Sequence, residues 1–168
     1  MRVFLPGTAT LLARWVAAGE VTVELTAHAV TPALREWYTE GDAEELEYTA
    51  MVEAAEASLR LLGDDPSAPR RRLVLAAEVD VAITLPEGDT GPRSQVLLPG
   101  PVSLSDVVSL HVDDEDAVPD VTAAVGAVEA ADAGDDDAQF VVDGAEGHDL
   151  LWFDATETSL VLTELGAG

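Results

Sequence analysis

The sequence contains no cysteine, no lysine and no asparagine, and its single isoleucine is Ile83. Without cysteine the chain has no disulfide, no thiolate nucleophile and no cysteine ligand for a metal. Without lysine it has neither a Schiff-base lysine nor the lysine of a P-loop, which excludes two kinds of enzyme site. Alanine, valine, leucine, aspartate and glutamate predominate instead, as expected of a protein from a very GC-rich genome.

Positive charge is also scarce. The 168 residues include 33 acidic and 8 basic side chains, which give a formal net charge of -25. A field of that sign repels phosphate backbones and anionic membranes, so we expect neither nucleic-acid nor membrane binding. Because 48% of the residues are apolar, the chain can bury a hydrophobic core and is not a disordered acidic tail.

Long apolar runs are missing as well. No stretch approaches the roughly 20 apolar residues that cross a bilayer. The apolar part of residues 1–6 is too short for a signal peptide. With the absence of cysteine, these features predict a cytoplasmic protein.

The apolar residues recur with the periods of strands and helices. Alternation predicts strands or extended segments at residues 3–5, 21–30, 73–85 (one strand, or two bent at 78–80), 96–98, 107–112, 140–142 and 150–153. Helical spacing predicts helices after Thr8 and Thr31, from Asp42 to about Leu62, around residues 121–131 and over 154–165, with an acidic loop at 132–137. Thr8, Thr31 and Asp42 are good N-caps, and Gly19 is placed to end the first helix.

This order of elements predicts an α/β fold, bordering on α+β, with one domain over residues 1–168. We expect a mixed β-sheet with helices packed on it in two or three layers. Large aromatic side chains at apolar periodic positions are expected in the core: Trp15, Trp37, Tyr38, Trp152 and Phe153. Because Trp37 and Tyr38 are adjacent on one helix, one of them is expected at a contact surface.

Several segments resemble a known family in the same order along nearly the whole chain. They are residues 1–6, 29–36 with 40–42, 57–62, 75–80, 111–114 and 146–153. They are similar to a family of uncharacterised actinobacterial proteins, a domain of unknown function. The resemblance implies a soluble single-domain protein and supplies no activity and no functional residue.

An acidic cluster follows the predicted strand 107–112, and Asp113, Asp114 and Asp116 are its candidate metal ligands. Carboxylates at a strand end suit Mg²⁺ or Ca²⁺. The alternative, which we favour, is a helix N-terminus, where the helix dipole stabilises acidic side chains. The run at 135–137 lacks the spacing of an EF-hand loop. The sequence therefore predicts no metal and no cofactor.

The histidines are the candidate general bases: His28, His111 and His148. The chain contains no G-x-S-x-G, H-E-x-x-H or G-x-G-x-x-G motif, and Ser58 has no nucleophile context. The alternation within residues 21–30 places His28 on the polar side of its strand. We expect each histidine to be structural or solvent-facing rather than catalytic.

Arg70, Arg71 and Arg72 form the only dense positive segment. Their guanidinium groups could bind a phosphate or a partner's carboxylate. The alternative, which we favour, is that they pair with the protein's own acidic groups and reduce local repulsion.

Two functional hypotheses follow. The first is a non-catalytic acidic interaction or regulatory protein with a basic protein partner, because a strong field of one sign accelerates such encounters. The second is a small-molecule enzyme, or a phosphate-ligand-binding domain, with its site at the strand end near residues 111–114.

Overall fold

The structure is a computed structural model that describes residues 1–22, 26–80, 82–84 and 91–167. Its elements are β1 (Arg2–Gly7), α1 (Ala9–Ala18), β2 (Glu20–Val21), β3 (Thr26–His28), α2 (Pro32–Trp37), α3 (Ala43–Asp64), β4 (Leu73–Glu78), β5 (Ile83–Thr84), β6 (Gln95–Leu97), β7 (Val102–Ser103), β8 (Val107–Asp113), α4 (Val118–Asp132), α5 (Asp136–Glu146), β9 (Leu150–Asp154) and α6 (Thr158–Glu164). Within the described ranges, no helix combines the length and the apolar character needed to cross a membrane.

One seven-stranded sheet organises the fold, in the order β5-β6-β3-β1-β4-β8-β9, and β2 pairs with β7 beside it. Helices α1 and α6 pack on one face of the sheet, where Trp15 and Val161 join the core formed by strand residues such as Leu75. Helix α3 covers the other face, with Ala50 packed near Phe4. The expected α/β class with helices layered on a sheet is therefore confirmed.

Two further helices pack against the C-terminal end of α3. Helices α4 and α5 form an antiparallel hairpin whose apolar residues meet the end of α3. Buried residues shared by the three helices include Leu59, Leu62, Val121, Ala124, Val142 and Ala145.

The expectation of a mixed sheet is wrong, because every strand pair in the described part of the chain is antiparallel. Strands β3 and β4 do run in the same direction across the α3 crossover, but β1 lies between them and pairs with both. Between β8 and β9 the chain contains two helices rather than one. The helical hairpin brings the chain back to the end of the sheet at which β8 finishes, so β9 starts there and runs antiparallel to β8.

The sequence patterns predicted neither helix α5 nor the two-residue strand β7. Residues 140–142 were predicted to be extended and 132–137 to be a loop, but α4 continues to Asp132 and α5 begins at Asp136. The Asp135 side chain accepts a hydrogen bond from the Ala138 N–H and caps α5. The run Phe140-Val141-Val142 resembles a strand, yet only Val142 of the three is buried in the helical hairpin.

Two predicted long strands are also divided. Residues 21–30 contribute β2 to the small sheet and β3 to the large one, and residues 23–25 lie outside the described residues. Residues 73–85 form β4 and β5, consistent with the predicted bend, while residues 81 and 85 lie outside the description, as do 86–90 of the following loop. The predicted strand at 3–5 extends through Gly7, whose Cα approaches the Trp15 ring so closely that a Cβ would lie 2.8 Å from it.

The local helix signals are confirmed. Thr8 and Thr31 each accept a hydrogen bond from the N–H three residues later. Asp42 forms a reciprocal capping box that begins α3, and Gly19 ends α1 in the left-handed conformation. The segment 154–165 is helical as predicted, with a 3₁₀ turn, Ala155–Glu157, before α6.

Candidate functional site

A buried ion pair lies at the end of the sheet where the sequence placed its acidic cluster. Arg72 donates to the carboxylate of Asp113 from Nε at 2.9 Å and from Nη2 at 2.8 Å. The two side chains are 4% and 0% exposed. The Arg72 N–H also donates to Asp113 Oδ2, and the Asp113 N–H donates to the Arg72 carbonyl. Arg72 and Asp113 thus extend the pairing of β4 with β8 by one polar pair.

The neighbouring arginines also point into the protein. Arg71 Nε donates to the Asp113 carbonyl at 2.8 Å. Arg70 Nη1 donates to the carbonyl of Leu62 at 2.6 Å and to that of Asp65 at 3.2 Å, near the end of α3. A cation at a helix C-terminus satisfies carbonyls that lack intrahelical partners and is favoured by the helix dipole. The three arginines that the sequence offered as candidates for phosphate or partner binding therefore make contacts inside the protein.

The other members of the acidic cluster begin a helix. Asp114 accepts a hydrogen bond from the Glu115 N–H at 2.7 Å, at the start of the 3₁₀ turn Glu115–Ala117 that leads into α4. Asp116 is exposed in that turn. Across the residues that the structure describes, no three His, Asp or Glu side chains are grouped to hold a metal ion. Asp113 faces Arg72, while Asp114 and Asp116 occupy the helix start that the alternative interpretation predicted.

His28 lies in a buried polar chain rather than on a polar strand face. Helix α3 packs on the sheet face that carries His28, beside Phe4 of β1, and so covers it. Its Nδ1 atom is 2.8 Å from Ser94 Oγ, which also contacts Glu53 of α3. The Ser94 N–H donates to the same Glu53 oxygen at 3.2 Å. Burial lowers the pKa of His28 to about 4, so its imidazole is neutral at physiological pH.

The other two histidines have separate environments. His111 Nε2 lies 3.1 Å from Ser109 Oγ on β8, and burial, aided by the charge of Arg2, lowers its pKa. His148 Nε2 lies 2.7 Å from Asp120 Oδ2, and its carbonyl accepts from Arg72. Strands β1 and β4 separate His28 from His111 by three interstrand spacings, or about 14 Å. His28 and His111 are therefore far apart, and the three imidazole rings contact different side chains.

The aromatic predictions are confirmed for Trp15 and wrong for Trp152. Trp15 is 1% exposed in the core, whereas Trp152 is 62% exposed. Trp152 pairs with His111 in register on β9, which is an edge strand, and no described strand pairs with the outer side of β9. The alternation of residues 150–153 predicts a strand correctly, but it cannot distinguish an interior strand from an edge.

A cleft of about 490 Å³ lies between α2 and the segment before β6. The Arg93 guanidinium carbon lies 3.9 Å from the centre of the Trp37 ring, a cation–π arrangement. Tyr38 and Glu53 line the same cleft, with Ser94 and His28 behind Glu53. Both Trp37 and Tyr38 are exposed, so the expectation that they lie in the core is wrong for both.

Comparisons with known proteins give one result. No curated protein and no solved structure matches the chain. The model described as "Family of unknown function (DUF6912)" matches residues 1–162. The match includes each of the histidines, the Arg72–Asp113 pair and strand β9. The chain therefore belongs to the DUF6912 family of unknown function.

Proposed function

We propose that this protein is a non-catalytic binding protein for a basic protein partner, acting in the cytoplasm of an actinobacterial host. The proposal rests on the direction in which three arginines form their hydrogen bonds. Arg70, Arg71 and Arg72 bond inward, so they neutralise little of the outer surface. With 33 acidic against 8 basic side chains, the outer carboxylates greatly outnumber the cations that face them.

The helical hairpin shows this imbalance most clearly. Its exposed acidic side chains include Asp120, Glu129, Asp132, Asp135, Asp136, Asp137, Asp143 and Glu146. Arg60 of α3 donates to Asp132 at 2.8 Å, and His148 contacts Asp120. The ion pairs found in the described ranges leave most of these carboxylates facing water.

A surface of this kind affects the rate of association. Carboxylates that share one side of a protein add their potentials and accelerate the approach of a positively charged protein. The same repulsion disfavours binding of nucleic acids and other polyanions. The contacts of two candidate site residues support a non-catalytic role, because the candidate metal ligand Asp113 and the candidate base His28 are both held in buried hydrogen bonds.

The test starts with purification of the tagged protein from its native host and identification of what co-purifies. The recombinant partner is then titrated against the protein between about 50 and about 500 mM salt, where screening changes strongly. We expect a partner with an excess of lysine and arginine and an association rate that falls steeply with salt. The matched variant Asp136→Asn with Asp137→Asn should bind more slowly with a shallower salt dependence. A neutral or acidic partner, or binding indifferent to salt, would contradict the proposal.

A second candidate is a small-molecule-binding domain, favoured by the cleft between Trp37 and Arg93. An aromatic face beside a guanidinium suits a planar ligand that carries a carboxylate. Ligand-observed NMR with simple aromatic carboxylates tests this function, with Arg93→Leu as the variant that should lose binding. The phosphate-binding alternative is tested separately by titrating inorganic phosphate and following the amide signals of residues 70–72 and 111–114.

A further inference from the structure

The outer edge of β9 carries backbone groups that have no strand beside them in the described part of the chain. An open edge can pair with a strand of another protein, and natural sheets usually protect such edges with charge, proline or a bulge. Within β9, residues 150–153 are Leu-Leu-Trp-Phe and contain none of these protective residues. The stretch 150–153 therefore lacks the side chains that ordinarily block strand addition.

The side chains along the edge are apolar on both faces of the sheet. Leu151 is 42% exposed and pairs in register with Val112, on the face covered by α1 and α6. Trp152 is 62% exposed and pairs with His111, on the opposite face. An added strand would place successive side chains alternately beside Leu151 and Trp152, because side chains alternate across a sheet.

The ends of the edge are acidic. Asp149 precedes β9 and is exposed, and Asp154 is its last residue. Five residue steps separate the two, which corresponds to about 17 Å along an extended chain. The Arg72 side chain that lies nearby is fully occupied with Asp113 and the His148 carbonyl, so it does not offset this charge at the surface.

We propose that β9 is where the basic partner binds, by adding an extended segment as an eighth strand of the sheet. The segment has a lysine or arginine near each end, about five residues apart, and apolar side chains between them. Main-chain hydrogen bonds would supply affinity, and the contacts with Leu151 and Trp152 would supply specificity. The inference rests on the proposed function and adds the binding mode and the place.

Charge selects this occupant over a second copy of the same chain. Two copies that joined at β9 would bring the acidic ends of one strand, Asp149 and Asp154, next to the acidic ends of the other. Each copy also carries a net charge of -25. Like charges so placed oppose association, whereas a basic segment neutralises them.

The first test is an NMR titration of the whole protein with a synthetic six-residue peptide that has lysine at both ends, five residue steps apart like Asp149 and Asp154, and alternating valine and threonine between. We expect amide shifts concentrated in β9 and β8 and a shift of the Trp152 indole. The control peptide has glutamate in place of the lysines and should not bind. A third peptide with every backbone nitrogen methylated keeps the lysine side chains but has no N–H on either edge for pairing, so it should not bind either.

The second test compares two exposed aromatics. Trp152→Lys places a protective lysine on the edge, while Phe140→Lys makes the same change of charge on α5, where Phe140 is 80% exposed. We expect Trp152→Lys to weaken peptide binding at least about tenfold and Phe140→Lys to weaken it less than about twofold, where tenfold corresponds to about 1.4 kcal/mol. The spectrum of each free variant checks that it remains folded.

The outcomes separate the two proposals. Equal weakening by both variants, or binding of the methylated peptide, means that charge alone attracts the peptide and overturns pairing at β9. Binding of a basic partner without shifts in β9 also overturns this inference but leaves the proposed function standing. If neither the lysine-containing peptide nor any basic protein binds, the proposed function fails as well.

Discussion

The carboxylate of Asp113 receives the guanidinium of Arg72 and also the Arg72 backbone N–H, in a position closed to water. Attraction between two desolvated charges is offset by the loss of their hydration, so the pair by itself is weak evidence of stability. The two residues depend on each other, because each buried charge is tolerated in the interior only while the opposite charge is present.

Removing one member of the pair should therefore destabilise the fold strongly. We expect Asp113→Ala to lower the free energy of unfolding by about 3–5 kcal/mol, since it leaves a buried guanidinium without its carboxylate. The measurement is urea unfolding followed by circular dichroism. The double variant Arg72→Met with Asp113→Leu should recover at least half of that loss, because no charge remains buried. A double variant as unstable as the sum of the two single variants would contradict this account.

Acid should destabilise the protein through His28. Burial lowers the pKa of His28 from 6.5 to about 4, so the unfolded chain binds a proton over that interval and the folded protein does not. The stability that depends on a neutral His28 is complete above pH 6.5 and is lost as the pH falls towards 4. We expect this residue alone to reduce the free energy of unfolding by about 2 kcal/mol between pH 7 and pH 5.

The variant His28→Asn isolates that effect, because an amide can keep a hydrogen bond with Ser94 but does not titrate. Urea unfolding of the two proteins at pH 7 and pH 5 gives the difference directly. The wild type should lose more stability than the variant over this range. Equal pH dependence would show that His28 is not the group responsible.

The hydroxyl of Ser58 joins three elements. It donates to the Gly7 carbonyl of β1 at 2.7 Å and accepts from the Leu73 N–H of β4 at 3.0 Å, and it is fully buried on α3. Ser58→Ala should cost about 1–3 kcal/mol, because two buried backbone groups lose this partner. Ser159→Ala, at an exposed position of α6, is the matched control and should change stability by less than about 0.5 kcal/mol. Thermal and urea unfolding of both variants provide the comparison.

Salt should stabilise this protein. With a net charge of -25, repulsion between surface carboxylates opposes the compact state, and ions screen that repulsion. We expect the free energy of unfolding to rise by an amount on the order of 1 kcal/mol between about 10 and about 500 mM sodium chloride. The variant Asp136→Asn with Asp137→Asn should show a smaller rise. Stability that is unchanged across this range would contradict a destabilising role for the surface charge.

Features decided by a few neighbouring residues were predictable from the sequence. The caps at Thr8, Thr31 and Asp42 form as predicted because their hydrogen bonds span three residues of chain. The strand 107–112 and the α/β class follow from alternation and from the order of elements.

Features decided by position within the sheet were not predictable. Alternation placed His28 on a polar face, but β3 lies inside the sheet and α3 covers that face. The same signal put Trp152 in the core, although β9 is an edge strand. The partner of Arg72 is 41 residues away in sequence, and no local pattern specifies a contact at that separation.

The helical hairpin begins and ends at neighbouring points, since Asp113 at the end of β8 is paired with Leu150 at the start of β9. Adding a turn to each of its helices, or removing one, would leave both strands in place. The apolar contacts with Leu59 and Leu62 of α3 set a lower limit on its size. Relatives of this chain can therefore differ in length here without a change in strand order, and a foreign segment inserted at the tip near Gly134 would project from the body while the sheet keeps its register.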